Sequence, residues 1–259
     1  MRIVSLNRAP SRVLRYRNAK PGGGGTFVAD LPVLDGRVDA LPEGVDCLVL
    51  TSDLQGRELS GTRLLGEVVP AFLRDEVGVP ASAIALLAGD LYAAPRADER
   101  GATGDVRPTW LAFAEAFRAV AGVNGNHDTF GEESPSDFAQ RARVHILDGQ
   151  ARDVDGLRVG GVSGIVGKLS KPNRKDRDTF TRLLEDVLLD GAHVVLLHQG
   201  PEGEGPGDKG SPWVRDAILA LDAPPLVAFG HCHWHEPLLE VDARQMLNLD
   251  GRVVVLRAA

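Results

Sequence analysis

Short, uninterrupted apolar runs, each ending in a small polar cluster, recur along this chain. Five of them, at residues 45–51, 84–88, 119–123, 194–197 and 226–229, are too short for helices and too continuous for strands with one wet face. They predict strands buried on both sides, as in the parallel part of a layered sheet. Between them, apolar residues return at helical spacing over residues 62–76, 108–117, 176–189 and 212–221, which predicts helices laid on the strands. Further strands are expected at residues 3–6, 157–162, 238–241, 246–249 and 253–256, and the run Pro21, Gly22, Gly23, Gly24, Gly25 reads as a loop. The alternation predicts an α/β or α+β fold, in one domain over residues 1–259 with segment 1–44 preceding the first strand that carries a candidate ligand.

The polar endings of the five runs are Ser52-Asp53-Leu54-Gln55, Gly89-Asp90, Gly125-Asn126-His127-Asp128, His198-Gln199 and Gly230-His231-Cys232-His233. In a mainly parallel sheet the C-terminal strand ends gather at one edge, so five clusters converge there. Carboxylate, amide oxygen and imidazole are donors that suit divalent Mn, Fe or Zn, and this many in one crevice points to two ions. Cys232 lies between two candidate ligands, but alternate residues of an extended segment point to opposite sides, which leaves it out of the set. The glycine run at 22–25 is not a phosphate loop, because it lacks the Lys-Ser/Thr ending.

In this order and spacing, the clusters resemble the signature of the calcineurin-like metallophosphoesterase superfamily, and its small single-domain phosphodiesterase or phosphatase branch in particular. The match runs from Asp53 to His233, about two thirds of the chain. The resemblance implies a central β-sandwich flanked by helices, with a metal site at the C-terminal ends of the core strands. It implies two divalent ions, Mn foremost with Fe, Zn or Mg as alternatives. Asp90 would bridge them, Asp53 and His233 would complete one site, and Asn126, His198 and His231 the other. His127 would meet the leaving oxygen as general acid, with Asp128 or Asp90 orienting it, and Asn126 would touch the substrate. Apart from the resemblance, Arg57, close behind Gln55, reads as a candidate to touch phosphate.

One position departs from the pattern. Gln55 stands two residues after Asp53, where the superfamily usually has histidine. An amide oxygen can ligate, but it is neutral and harder than imidazole, so a weaker first metal site biased towards Mn is expected.

The implied activity is hydrolysis of a small anionic phosphomonoester or phosphodiester by a metal-bridging hydroxide. One rival is a nuclease acting on DNA or RNA. The other is a weakly active or inactive binding protein on the same fold, for which Gln55 is the foothold. Charge bears on the first rival: 29 Lys and Arg against 36 Asp and Glu give a net charge of −7, so the basic face of a general nucleic-acid binder is not expected. No apolar run is long enough to cross a bilayer, none of signal length lies beside Arg2, Arg8, Arg12, Arg15 and Arg17, and a cytoplasmic protein is expected. Cys47 and Cys232 make no disulfide framework.

Several residues belong to no cluster. His145 and His193 read as structural, and His235 as an edge of the pocket. The run Lys168, Lys171, Arg174, Lys175 and Arg177 reads as a solvated face, or as a basic lip that attracts an anion. Residues 200–210, rich in Gly, Pro and acidic side chains, read as a loop over the site.

Overall fold

The computed structural model describes residues 1–140, 144–221 and 225–259. The first half of the chain supplies β1 (Ile3–Leu6), β2 (Arg12–Ala19), β3 (Thr26–Val38), β4 (Cys47–Ser52), β5 (Arg57–Glu58), α1 (Leu65–Asp75), β6 (Ile84–Leu87), β7 (Gly104–Asp105), α2 (Arg107–Ala116), β8 (Ala119–Gly122), β9 (Asp128–Thr129), α3 (Pro135–Ala139) and β10 (Val144–Ile146). The second half supplies β11 (Gln150–Val154), β12 (Leu157–Val162), β13 (Ile165–Val166), β14 (Arg174–Lys175), α4 (Arg177–Leu189), β15 (Val194–Leu197), α5 (Pro212–Leu219), β16 (Leu226–Phe229), β17 (Leu238–Val241), β18 (Arg244–Asn248) and β19 (Arg252–Ala258).

Two sheets form. One runs β10-β8-β6-β4-β19-β3-β2-β5 with β1 beside β3, and the other runs β11-β12-β15-β16-β18-β17. Each has a parallel heart: β4, β6, β8 and β10 in the first, β12, β15, β16 and β18 in the second. Successive side chains of a strand point to opposite faces, so β4 sends Leu48 and Leu50 into one core and Cys47 and Val49 into another. This is why its run is apolar without a break.

Leu48, Leu50, Leu86 and Ala121 of the first sheet meet Val159, Leu196, Ala228 and Leu247 of the second in a central core. The outer face of the first sheet is covered by α1 and α2 through Val69, Trp110 and Phe113, and that of the second by α4 and α5 through Phe180, Leu184 and Val214. The layers are therefore helix, sheet, sheet, helix, and the expected β-sandwich flanked by helices is what the chain adopts.

Segment 1–44 differs from the single short strand expected. It builds a long hairpin, β2 against β3, turning through Gly22 to Gly25 with positive φ at all four glycines. Arginines at 12, 15 and 17 hide the strand pattern of β2, yet its alternate residues Leu14 and Tyr16 pack on the core. β3 runs parallel to β19, so this segment extends the first sheet. No helix among the described residues is long and apolar enough to cross a membrane.

Candidate metal centre

The expected clusters meet at one edge of the sandwich. Asp53 follows β4, Asp90 follows β6 and Gly125-Asn126-His127 follows β8. From the second sheet, His198 follows β15 and His231 follows β16. Asp53, Asp90 and His231 all adopt positive φ, at 54°, 54° and 67°. Left-handed backbone costs a non-glycine residue of order 1 kcal/mol or more and persists only where surroundings enforce it.

Glycines let the clusters touch. A methyl group on Gly125 would lie 2.0 Å from Asp90 Oδ1, and one on Gly230 would lie 2.0 Å from Ser52 Oγ and 2.4 Å from Asp53 Oδ2. The second contact is a seam between the two sheets. It is reinforced by the His231 amide, which donates to Asp53 Oδ2 at 2.9 Å.

Asp90 is the hub. Its Oδ1 accepts from the His127 amide at 2.9 Å, and its Oδ2 accepts from Gln55 Nε2 at 2.9 Å. His198 Nε2 lies 3.4 Å from Oδ1. Asp90, His198 and His231 each present a ligand atom, all within 4.8 Å of one another. Burial opposes charge on both Asp90 and His198, but their mutual attraction wins: the carboxyl is held down to about 2 and the imidazole pushed up to about 10. Burial, and then His198, push His231 down to about 4, so it is neutral at pH 7.

His198 Nδ1 donates to the Ala88 carbonyl at 2.8 Å, while its Nε2 is fully buried without a hydrogen-bond partner. Asn126 Oδ1 is also buried and unpartnered. Asp53 is driven well above the usual carboxylate range, by burial first and by nearby Asp250 next. A divalent ion would satisfy the orphaned nitrogen and oxygen and relieve the crowded carboxylates together, so these residues fit one.

The other half of the expected pair is more open. The His233 side chain is 62% exposed, and its Nδ1 sits 3.0 Å from Asp250 Oδ2. Asp250 lies in Leu249-Asp250-Gly251, which in sequence reads as an ordinary turn, and no spacing marked it. Gln55, expected to offer an oxygen to a cation, instead turns its amide nitrogen onto Asp90, because an amide oxygen would be repelled by the carboxylate.

His127 Nδ1 pairs with Thr103 Oγ1 at 3.2 Å. Burial lowers its pKa. Asp128 does not reach that ring. Its Oδ2 accepts from the amides of Asp90 and Gly125 at 2.9 and 2.7 Å, and its Oδ1 from Leu91 at 2.8 Å. It is a clamp between two ligand loops, and the orienting contact on His127 comes from Thr103, which sequence reasoning missed.

Arg57 is a correction. It is buried, and its Nε, Nη1 and Nη2 donate to the carbonyls of Ala94, Thr62 and Ala93. The guanidinium that was expected to touch phosphate holds a loop.

The basic run is largely committed to structure. Arg174 donates to the Asn126 and Pro172 carbonyls, Lys175 to the Ser163 carbonyl and Asp148, and Arg177 stacks on Trp213, leaving Lys168 and Lys171 exposed. His235 edges the pocket, with Nδ1 3.3 Å from Asp208. His193 Nδ1 accepts from the Arg158 amide, and His145 lies on β10, away from the cluster. The loop at 200–210 is latched beside the site, with the amides of Gly205 and His235 on Asp208 and Trp234 Nε1 on the Lys209 carbonyl.

No protein-family model matches the chain, and no curated protein does. Among solved structures, it is similar to the phosphopantetheinyl hydrolase of Mycobacterium tuberculosis, 13% identical over 80% of this chain and 90% of that one, with a TM-score of 0.43. It is also similar to a 5′-nucleotidase precursor from Thermus thermophilus, 18% identical over 82% of this chain and 48% of that one, with a TM-score of 0.38. This chain thus spans about half the length of the second. At scores this low neither likeness bears on what this chain does, and the case for its chemistry rests on the edge where Asp90, His198 and His231 meet.

Proposed function

We propose that this protein is a metal-dependent phosphoester hydrolase of the calcineurin-like metallophosphoesterase kind. The observation that carries the reading is the Asp90, His198 and His231 cluster, with ligand atoms within 4.8 Å of one another and the His198 Nε2 buried, 3.4 Å from Asp90 Oδ1. Asp90 would be shared by two divalent ions, with Asp53 and His233 on one side and Asn126, His198 and His231 on the other. When bound, such ions polarise a phosphoryl oxygen and supply hydroxide at neutral pH.

The chain's own residues do the rest. His198 is held by the Ala88 carbonyl with its proton on Nδ1, which leaves Nε2 free to ligate. Gln55 steadies Asp90 by hydrogen bonding. As an imidazolium, His127 would donate from Nδ1 to Thr103 Oγ1, which orients the ring and leaves the Nε2 proton available to a departing alkoxide. Because burial lowers the pKa of His127, the negative phosphate beside it is what makes the ring an acid.

The test is metal content together with hydrolysis of a generic aryl phosphate and a bis-aryl phosphodiester under Mn. Two ions per chain, turnover of at least one substrate, and loss of both in Asp90→Asn are expected. Two bound ions with no turnover of either substrate overturns the reading in favour of a binding protein.

A further inference from the structure

A cavity of about 570 Å³ opens beside the cluster, with His231 and His233 in its lining. Arg100 and Lys209 line it, as do Ile165 and Val166. These residues come from separate segments: Arg100 from the stretch between β6 and α2, Ile165 and Val166 from β13, and Lys209 from the loop after β15. The volume lies in the range that holds a small organic ligand, and exceeds what a lone phosphate needs.

Among the described residues neither Arg100 nor Lys209 has an ion pair, although the chain carries seven more acidic than basic groups. Their neighbours are engaged: Arg96 with Asp98, Arg107 with Asp105 and Glu133, and Arg215 with Glu204. The cavity's own carboxylate, Asp250, is occupied by His233. Two exposed cations from separate segments, with an aliphatic patch on β13, make a surface for an organic group that carries a second negative charge.

We propose that this cavity takes the non-reacting part of the substrate, and that this part bears a second phosphate read by Arg100 and Lys209. The substrate is then a phosphoester of nucleoside size with two phosphates, one at the cluster and one in the cavity. This rests on the hydrolase reading for the place of the first phosphate, but the second contact can be measured without turnover.

Calorimetric titration of the Mn-supplemented protein with a nucleoside monophosphate and the matching nucleoside bisphosphate measures that contact. The bisphosphate should bind at least tenfold more tightly. Arg100→Ala and Lys209→Ala should each remove about tenfold of that preference, the scale of one hydrogen bond to a charged group. Lys209→Arg should restore most of what Lys209→Ala loses. Equal affinity for the two ligands, or a preference untouched by either alanine variant, overturns the proposal even if aryl phosphate is hydrolysed. A preference that falls in the variants of a protein that hydrolyses nothing upholds the cavity and overturns the hydrolase reading. Failure to bind either ligand overturns both.

Discussion

Asp250 would act on the proposed metal centre through His233. A carboxylate on Nδ1 of a ligating imidazole fixes the tautomer and orientation of the ring, and loss of such partners costs 10–100-fold in metal affinity as a rough scale. Asp250 Oδ2 is 3.0 Å from His233 Nδ1, so, with ions held as proposed, Asp250→Ala is expected to weaken the one beside His233 by about tenfold or more, with Asp250→Asn intermediate. Titration of the apo protein followed by metal analysis would show it, and an unchanged affinity would remove Asp250 from the account. Arg57 makes the opposite case. Arg57→Ala strands the buried carbonyls of Ala93 and Ala94 and the part-buried one of Thr62, so a stability loss of about 3 kcal/mol in denaturant melts is expected with metal content intact. Residues legible in the sequence were those in ordered clusters. Thr103 and Asp250 were not, because a lone threonine and a turn aspartate look the same wherever they fall, and Arg57 misled because proximity along the chain to Gln55 says nothing of where a guanidinium turns.

At the level of elements, the strand-to-cluster junctions are tight enough to be tested by single atoms. Gly125→Ala would drive a methyl to 2.0 Å from Asp90 Oδ1 and 2.1 Å from its amide nitrogen. That variant is expected to lose bound metal while keeping its overall circular dichroism, since the clash falls at the rim beyond β6 and β8. Retained stoichiometric metal would refute this view of the junction. The parallel strands were legible because both their faces are buried, which leaves an unbroken apolar run. β2 and β3 were not, because a hairpin with one wet face can fill that face with arginine, and its glycine turn reads equally well as a hinge. Helix bounds came within a few residues: Asp176, expected to open a helix, instead caps α4 by accepting from the Thr179 amide.

For the whole molecule, the pairing of Asp90 with His198 links protonation to folding. The folded His198 titrates at about 10, above its ordinary 6.5, so the stability it contributes in chelator is complete below pH 6.5 and is lost as pH rises through about 10. A bound cation would take the place of that proton. Melting temperature should therefore fall between neutral and alkaline pH in the stripped protein and fall less with Mn added. Identical slopes would contradict the assignment. The order of layers was legible from strand and helix alternation, whereas the contact between sheets was not, because periodicity says which face is buried and not what lies across it.

That contact has a consequence at the rim. Gly230 has no room for a methyl against Ser52 and Asp53, and the donors on either side belong to different layers. The cluster is in effect a vernier scored across two plates: a sub-ångström slip of one sheet past the other pulls its marks out of line. Cation affinity then becomes an outside reading of inside packing. Leu196→Ala, buried between the sheets, should cost about 2–5 kcal/mol of stability and also loosen metal binding, whereas a comparable truncation under the outer helices, Leu184→Ala, should cost stability alone.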